Sequence, residues 1–449
     1  MIYRNIISKL EEWSLKVNRK PLVLRGARQV GKTTLVNIFA RKYPVYIYLN
    51  LEKPADKAIF DTKNAFSEKL DAIFFLKGFK KEQKPTLIFI DEIQNSPQAV
   101  ALLRYFYEEA PEIYVIAAGS LLESLIDRHI SFPVGRVEYL AVRPCSFKEF
   151  LNALHEQVAL DVLSQWPVPD YAHEKLQSLF NRFTLIGGMP AIVANYAQNN
   201  DLISLNADFQ SLIGGYIDDV EKYVIRNNSV QYIRHILRTG FRFGCQRIKF
   251  ERFGASDYRS REMAEAFRLL EKTMLIELVY PTSSSSIPFL PDFKKSPRLH
   301  WLDTGLLNYA AGVQTEVFGA NELSSAWRGL IAEHIVGQEL IAEDYNILSQ
   351  RVFWVREAKN SNAEVDYLLS YNGFLIPIEV KAGVGSTLKS LHLFMDKAPH
   401  KLAIRIWNQP FSESEIQTTA GKKFLLLNIP FYHSSQLNQI IDYYLKLLQ

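Results

Sequence analysis

The most constraining feature of the sequence is a glycine-bounded loop near its start. The residues GARQVGKT, from Gly26 to Thr33, follow an apolar run that ends at Arg25 and precede a helical pattern over residues 33–42. Two glycines let the backbone curl so that its N–H groups point inward, and the N-terminus of the next helix attracts anions. This strand–loop–helix order predicts a phosphate-binding P-loop.

The residue types in the loop predict separate roles in binding ATP. The spacing directs the Lys32 ammonium at the β- and γ-phosphates, and it directs the Thr33 hydroxyl at a magnesium ion. The main chain supplies the other contacts. The predicted nucleotide-binding residues of the loop are Gly26, Ala27, Arg28, Gln29, Val30, Gly31, Lys32, Thr33 and Thr34.

An acidic pair at the end of a second apolar run completes the predicted ATPase site. Residues 86–90 read TLIFI and are followed by Asp91 and Glu92. A P-loop ATPase needs one carboxylate near magnesium and a second one to orient the attacking water. Asp91 is therefore the predicted metal-side residue, and Glu92 is the predicted general base.

Two further residues are weaker candidates for the same site. Ser120 follows the apolar run 113–118, where it would contact the γ-phosphate or the water, or merely end a plain turn. Arg136 adjoins Gly135 and would stabilise transition-state charge in its own or a neighbouring subunit, or be an ordinary solvated arginine.

The length of 449 residues predicts about three domains. In the first, 1–170, the apolar runs 21–25, 45–49, 86–90 and 113–118 alternate with helical patterns, which indicates a parallel sheet. The second, 171–312, is mostly helical. Its helix–turn–helix–strand order near residues 254–280 predicts a winged helix.

A basic segment lies within the second region. Residues 222–272 contain twelve Lys or Arg and five acids, a difference of seven positive charges, whereas the whole chain carries only +4. Such clustering suits phosphate contacts, so DNA or RNA is a predicted partner. A solvated helix face and a surface for an acidic protein partner are the alternatives. The arginines concerned include Arg234, Arg238, Arg242, Arg259, Arg261 and Arg268.

Three motifs together resemble those of a known family. The loop GARQVGKT, the segment DEIQ at 91–94 and the segment RPCSFKEF at 143–150 are similar to those of prokaryotic AAA-type ATPases that carry an uncharacterised C-terminal domain. The segment WLDTGL at 301–306 resembles the start of that family's last region. The resemblance implies an ATPase core followed by a winged helix, and it leaves the cellular role open.

The third region, 313–449, contains a second group of candidate catalytic residues. After a helix predicted over 328–343, runs 352–355, 365–370 and 374–381 read as strands, with a hairpin turn at Asn372-Gly373. Glu379 and Lys381 share one strand face because side chains alternate, and the hairpin brings Asp366 beside them. Two carboxylates and a lysine in this order resemble the PD-(D/E)xK nuclease motif.

The nuclease-like set predicts a metal site with Asp366, Glu379 and Glu333 as ligands and Lys381 as a catalytic residue that positions water. An exposed hairpin face with an ordinary ion pair is the alternative. The fold class predicted for the chain is therefore α/β: a P-loop NTPase domain of the AAA type, then a helical winged-helix domain, then a restriction-endonuclease-like domain.

The remaining sequence features predict the cellular location. The two cysteines lack metal-ligand spacing, and the first residues have helical spacing rather than the pattern of a secretory signal. Because the sequence also has no long uncharged apolar stretch, we expect a cytoplasmic protein without a membrane contact. Three functions stay open: an ATPase with an active nuclease, a nucleotide-dependent switch that binds DNA or a protein without cutting, and a protein-remodelling ATPase. The sequence does not indicate an oligomeric state.

Overall fold

The computed structural model of the chain describes residues 2–119, 133–219, 229–312, 325–357, 363–383 and 388–447. Helices and strands alternate at both ends of the chain, with a mainly helical part between them, so the described residues form an α/β protein. None of the described helices combines the length and the apolar character needed to cross a membrane.

A five-stranded parallel sheet occupies the N-terminal part. Its strands lie in the order β2–β3–β4–β1–β5. The strand before the P-loop, β1, is thus separated from the strand that ends in Asp91, β3, by one inserted strand. The bounds are β1 Leu22–Arg25, β2 Val45–Asn50, β3 Thr86–Asp91, β4 Tyr114–Gly119 and β5 Glu138–Ala141.

Helices cover both faces of this sheet and bury two separate apolar clusters. One cluster contains Val23, Ile88 and Phe106, and the other contains Leu24, Phe89 and Trp13. Neighbouring residues of one strand therefore point to opposite clusters, which explains why these strands read as continuous apolar runs. The helices are α1 Ile7–Ser14, α2 Lys32–Phe39, α3 Pro54–Asp61, α4 Phe66–Leu76 and α5 Pro97–Glu109.

The middle of the chain is a set of helices followed by a two-stranded antiparallel sheet. The helices are α6 Phe147–Ala153, α7 Gln157–Leu163, α8 His173–Ile186, α9 Pro190–Asn199, α10 Leu205–Asp218, α11 Val230–Thr239, α12 Ser260–Lys272 and α13 Thr304–Ala310. Strand β6, Ile276–Val279, pairs with β8, Arg298–Trp301, and the short β7, Pro281–Thr282, lies between them in sequence. The helix–helix–strand order of α11, α12 and β6 matches the predicted order.

The C-terminal part contains a mixed sheet in the order β11–β12–β13–β15–β14. Strands β12, β13 and β15 are parallel, and the two edge strands run antiparallel to them. The strand bounds are β9 Phe353–Val355, β10 Glu364–Val365, β11 Tyr367–Tyr371, β12 Phe374–Lys381, β13 Leu402–Trp407, β14 Ser412–Gln417 and β15 Lys423–Pro430. The helices are α14 Ser325–Ala342, α15 Lys389–Lys397 and α16 Leu437–Leu447.

The prediction of one continuous strand over 365–370 is wrong. The chain breaks at Asp366 into β10 and β11, which belong to different sheets, because β10 pairs with β9 while β11 pairs with β12. Asp366 uses its side chain to accept the backbone N–H of Val380 at 2.8 Å, a bond outside the regular strand ladder. The predicted turn is present, with φ of 45° at Asn372 and 83° at Gly373.

The middle and C-terminal parts share one hydrophobic core. A single apolar cluster extends from Phe147 through Trp301 and Ile378 to Leu445. The predicted boundaries near residues 170 and 312 remain predictions, but packing continues across both of them.

Candidate functional site

The P-loop backbone takes the conformation that phosphate binding requires. Gln29 and Gly31 have φ of 64° and 90°, and helix α2 begins directly after Gly31. A Cβ at Gly26 would lie 2.4 Å from the carbonyl oxygen of Val142, so only glycine fits between β1 and the end of β5. The two glycines therefore serve different purposes: one permits close approach and the other permits the turn.

The Lys32 ammonium lies inside the loop. Its Nζ donates to the carbonyl oxygens of Gly26 at 2.9 Å and Ala27 at 2.8 Å. Burial lowers the pKa of Lys32 to about 8, against the opposing effect of the Glu92 and Asp91 charges. A buried ammonium held by neutral carbonyls gains from a nearby anion, which is what a phosphate supplies.

Two oxygen ligands suitable for magnesium meet beside the loop. The Thr33 hydroxyl donates to Asp91 Oδ2 at 2.7 Å, and the Tyr48 hydroxyl donates to the same oxygen at 3.2 Å. Burial raises the pKa of Asp91, and the Thr33 hydrogen bond opposes this change. The hydroxyl and the carboxylate are hard oxygen donors of the kind that Mg²⁺ prefers, so these residues fit the ion.

Glu92 is held in an unusual backbone conformation at the edge of the same site. Its φ of 52° is left-handed, and its carboxylate accepts a hydrogen bond from the Gln94 side-chain amide. Glu92 lines the cavity in front of Lys32 and Thr33. The predicted base is therefore near the loop but restrained by Gln94.

A cavity of about 540 Å³ lies in front of the P-loop. On one side are the predicted loop residues from Arg28 to Thr34, and on the other are apolar side chains from the start of the chain, from α2 and from α9. The second group consists of Ile2, Ile38, Pro190, Ala191 and Ala194. A polar phosphate end and an apolar end are the two features that a nucleotide needs.

The weaker candidates of the ATPase site have different outcomes. Ser120 lies outside the described residues. Arg136 precedes β5 and pairs with Glu108 at 2.9 Å. It lies at the N-terminal end of β5, whereas the P-loop follows the C-terminal end of the parallel neighbour β1. The prediction that Arg136 acts on the nucleotide of its own chain is therefore wrong, since the parallel strands carry the P-loop at their other ends. A role at a neighbouring subunit remains a prediction.

Arg4 is a site residue that the sequence did not reveal. Its guanidinium donates to Val30 O in the P-loop at 3.1 Å and to Glu149 Oε2 at 3.0 Å. Glu149 also accepts the backbone N–H groups of Asn5 and Ser146. The chain start thus joins the loop to the residues after the sheet, and no local pattern signals a contact between residues 145 positions apart.

In the C-terminal part, the structure brings Asp366, Glu379 and Lys381 together. Lys381 Nζ lies 2.7 Å from Glu379 Oε1, and Asp366 accepts the N–H of Val380, the residue between them. Glu379 is 5% exposed, and its Oε2 has no hydrogen-bond partner among the described residues. The three side chains therefore lie close together, with one buried carboxylate oxygen unsatisfied.

Arg298 is a fourth member of this cluster that the sequence analysis missed. Its guanidinium pairs with Glu333, with Glu364 at 2.9 Å and with Asp366 at 3.7 Å. Arg247 pairs with Glu364 on the outer side at 2.7 Å. Glu333, a predicted metal ligand, thus lies near Asp366 but has an arginine as its partner.

The cluster contains four acids and three cations. The acids are Glu333, Glu364, Asp366 and Glu379, and the cations are Arg247, Arg298 and Lys381. Burial, together with the nearby Asp366 charge, raises the pKa of Glu379 to about 7. Burial also raises the pKa of Glu333 to about 8, against the effect of Arg298. A cation at Asp366 and Glu379 would favour the ionised form of Glu379 and would fit its unsatisfied oxygen.

A different group, Cys245, His300 and Glu333, has ligand atoms within 4.8 Å of one another. His300 Nδ1 lies 3.1 Å from a guanidinium nitrogen of Arg351, and its Nε2 lies 3.0 Å from the Tyr367 hydroxyl. A guanidinium only donates, so Nδ1 accepts and Nε2 carries the proton. The ring nitrogens are thus used in hydrogen bonds, which argues against a metal at this group.

The basic segment lies partly on an exposed surface. Residues 220–228 are outside the described part, whereas Arg238, Arg242, Arg259, Arg261 and Arg268 are exposed on or beside α11 and α12. The buried face of α12 consists of Met263, Ala266, Phe267 and Leu270. The cationic side chains are therefore left facing solvent.

Comparison with known proteins assigns the first part of the chain. Residues 18–151 match the family model described as an AAA domain. Residues 177–317 and 328–421 match two domains of unknown function, DUF8612 and DUF4143. No curated protein sequence matches the chain.

Several solved structures are similar to the chain at low identity. A Walker-type ATPase of Pyrococcus abyssi has 18% identity and a TM-score of 0.44, with 69% of this chain and 96% of that chain covered. PCH-2 of C. elegans has 15% identity and a TM-score of 0.29, with 44% and 64% covered. ORC1 of Aeropyrum pernix in complex with DNA has 12% identity and a TM-score of 0.29, with 70% and 93% covered.

The family match and the site geometry agree. The matched range contains the phosphate-binding loop, the Thr33–Asp91 pair and all five strands of the parallel sheet. Residues 18–151 are therefore similar to AAA domains, and they contain the P-loop and its parallel sheet.

Proposed function

We propose that the chain binds ATP with magnesium and hydrolyses it at the P-loop, and that it uses this cycle on nucleic acid. The observation that carries the ATPase part is that Lys32, Thr33 and Glu92 line one cavity, and that Thr33 donates a hydrogen bond to Asp91. Lys32 binds the phosphates, Thr33 and Asp91 hold the metal, and Glu92 accepts a proton from water. Magnesium, when bound, neutralises charge on the phosphates.

Two substitutions test the assignment of these residues. Lys32→Ala removes the cation directed at the phosphates, so nucleotide binding or turnover is lost. Glu92→Gln keeps the size of the side chain and loses the base, so binding remains while hydrolysis slows. Binding is measured by titration calorimetry and hydrolysis by phosphate release. Wild-type affinity and rate in Lys32→Ala would refute the site, and equal loss of binding in Glu92→Gln would make Glu92 a structural residue.

The nucleic-acid part rests on the exposed arginines of α11 and α12. Reversal of Arg238, Arg259 and Arg261 to Glu changes the charge of that surface by six units, so binding to DNA or RNA weakens for every sequence. The matched control reverses three exposed cations elsewhere, Lys81, Arg104 and Lys423. Fluorescence anisotropy at several salt concentrations distinguishes the two variants. Equal loss in both would show a general charge effect only.

For the C-terminal part, we propose a metal-dependent phosphodiesterase site at Asp366, Glu379 and Lys381. The two carboxylates hold a divalent cation, and Lys381 orients water beside it. A bound cation would polarise the phosphodiester. The supporting observation is the buried, unsatisfied oxygen of Glu379 beside Asp366 and Lys381.

The test compares cleavage of linear, supercoiled and branched DNA and of RNA, with Mg²⁺ or Mn²⁺, in the presence and absence of ATP. Asp366→Ala and Lys381→Ala abolish cleavage if the site is correct. A matched control is available on the same sheet, where Lys423 and Glu415 form an exposed pair at 2.9 Å. Lys423→Ala and Glu415→Ala leave cleavage unchanged. Cleavage that survives Asp366→Ala and Lys381→Ala would come from another site.

One observation favours a second candidate, a switch that binds nucleic acid or a protein without cutting. Arg298 already pairs with three carboxylates of the cluster and competes with a metal for them. Under this alternative no nucleic acid is cut with either Mg²⁺ or Mn²⁺ present, and Asp366→Ala leaves the affinity for nucleic acid unchanged. Measured binding of Mn²⁺ by calorimetry separates the candidates, since only the first requires it.

A further inference from the structure

A second cavity, of about 350 Å³, lies where the three parts of the chain meet. Its wall begins with Arg25, the residue directly before the P-loop, and continues with Arg143 and Pro144, which follow β5. The ends of α12 and α14 and the segment 347–351 complete it. The cavity is thus separate from the one that contains Lys32 and Thr33.

The cavity wall is strongly cationic. Five basic side chains face two acids there: Arg25, Arg143, Arg268, Lys272 and Arg351 against Glu271 and Glu277. Arg351 and Glu277 pair with each other at 2.8 Å, which removes one charge of each sign. Counted by residue, the wall has three more basic than acidic side chains, an arrangement that attracts anions.

Arg143 is a half-buried cation of this wall with few polar partners. Its guanidinium makes one hydrogen bond, to the carbonyl oxygen of Asp344 at 3.3 Å, and it has no ion pair with a carboxylate of the described chain. The buried arginines Arg4 and Arg298 differ, because each pairs with at least one glutamate. Burial lowers the pKa of Arg143, and the nearby Arg351 charge lowers it as well, against the effect of Glu277.

The rest of the wall is apolar and gives the cavity a second chemical character. The apolar side chains are Met274, Ile276, Leu302, Ile341, Ala342 and Ile347. Small-molecule sites typically combine an apolar wall with a few convergent polar groups in about 300 to 1,000 Å³. The volume here suits a ligand of mononucleotide size.

We propose that this cavity is a second ligand site, distinct from the P-loop, which binds a phosphorylated organic anion of mononucleotide size through Arg143 with Arg268 and Lys272 at its side. The phosphate supplies the acceptor that the Arg143 guanidinium lacks, and the organic part contacts the apolar wall. A planar fork of donors matches phosphate oxygens in a bidentate manner.

The position of the site connects it to the ATPase site. The carbonyl oxygen of Arg25 accepts the N–H of Val142 at 2.6 Å, so the strand before the P-loop and the residue before Arg143 are joined. Tyr345 O also accepts the N–H of Ala141 at 2.8 Å. A ligand held by Arg143 therefore touches the segment that carries Gly26.

The test uses full-length protein with Lys32→Ala, in which the P-loop cation is absent, in buffer with EDTA. Titration calorimetry with sodium pyrophosphate and with AMP measures binding. We expect one AMP per chain, bound more tightly than pyrophosphate because of the apolar wall. Adding Arg143→Gln weakens binding by about tenfold or more, since a charged hydrogen-bond donor is lost. Arg143→Lys keeps the charge and weakens binding less.

Two controls keep the result interpretable. Arg268→Gln removes an exposed cation at the rim, where a fold defect is not expected, and weakens binding by a smaller factor than Arg143→Gln. Arg104→Gln, on the exposed face of α5, leaves binding unchanged. Circular dichroism checks that each variant is folded. No AMP binding up to about 1 mM, or equal affinity in Arg143→Gln and its parent, would overturn the proposal.

Discussion

At the scale of single residues, the candidate ATPase site is defined by what each polar side chain contacts. Lys32 donates to two carbonyl oxygens of its own loop, and Thr33 donates to Asp91. Glu92 differs from these, because its carboxylate accepts a hydrogen bond from the neutral side-chain amide of Gln94. The amide therefore holds the carboxylate in one orientation.

The restraint on Glu92 leads to a prediction for Gln94→Leu. Removal of the amide frees the carboxylate to turn toward the attacking water, so we expect the ATP hydrolysis rate to rise by about two- to fivefold in the absence of a partner, within the range of one neutral hydrogen bond. The dissociation constant for ATP stays the same, because Gln94 does not line the cavity. Steady-state kinetics and calorimetry measure the two values. A tenfold weaker affinity would show that Gln94 shapes the nucleotide site instead.

The predicted site residues that lie close together in the structure share one property: they are local. Lys32, Thr33, Asp91 and Glu92 each belong to a contiguous motif at the end of an apolar run, so spacing alone places them. Arg4 and Arg298 are equally central but contact partners 145 and 35 positions away. Nothing in the neighbouring sequence distinguishes them from solvated arginines, and only the tertiary fold brings their partners close.

At the scale of helices and strands, the parallel sheet was predictable and the C-terminal sheet was predictable only in part. Strands β1 to β4 are continuous apolar runs between helices, as strands covered on both faces are. The hairpin β11–β12 carries the strong turn signal Asn372-Gly373. The break at Asp366 had no such signal, because it depends on hydrogen bonds from Val380 and Arg298 in other strands.

The segment before α1 connects two elements of the ATPase domain and gives a second prediction. Arg4→Met leaves Glu149, which is 4% exposed, as a buried carboxylate without its cation. We expect the free energy of unfolding to fall by about 3 kcal/mol, the usual cost of breaking a buried ion pair. Urea denaturation followed by fluorescence measures the change.

A double-mutant cycle checks the reason for this loss. Adding Glu149→Gln to Arg4→Met removes the unpaired charge, so the double variant is more stable than the sum of the two single losses predicts. The exposed pair Lys9–Glu12 is the matched control, with an expected coupling below about 1 kcal/mol. Purely additive losses at Arg4 and Glu149 would contradict the ion-pair argument.

At the scale of the whole molecule, the parts are joined by buried polar contacts as well as by apolar packing. Glu339 on α14 is 1% exposed and accepts the backbone N–H of Phe147, at the start of α6, through both oxygens at 3.2 Å. Burial raises the pKa of Glu339 to about 8. This carboxyl group therefore links the C-terminal region to α6, near the end of the range that matches an AAA domain.

The raised pKa gives the third prediction, which concerns the dependence of stability on pH. In the unfolded chain a glutamate releases its proton near pH 4.3, whereas folded Glu339 keeps it to about pH 8, so the folded state binds more protons between these values. Stability contributed by protonated Glu339 is thus present at low pH and is lost as pH rises toward 8.

Glu339→Gln, which keeps the size and a carbonyl acceptor, should remove this part of the slope of stability against pH. The free energy of unfolding of wild type relative to Glu339→Gln should therefore fall steadily from pH 5 to pH 8, by at most about 1.4 kcal/mol per pH unit, and the thermal midpoint should fall with it. Differential scanning fluorimetry at matched ionic strength measures this difference, with the exposed Glu415→Gln as a control that should show no such trend. A difference between wild type and Glu339→Gln that stays constant across this range would mean that Glu339 is ionised in the folded protein.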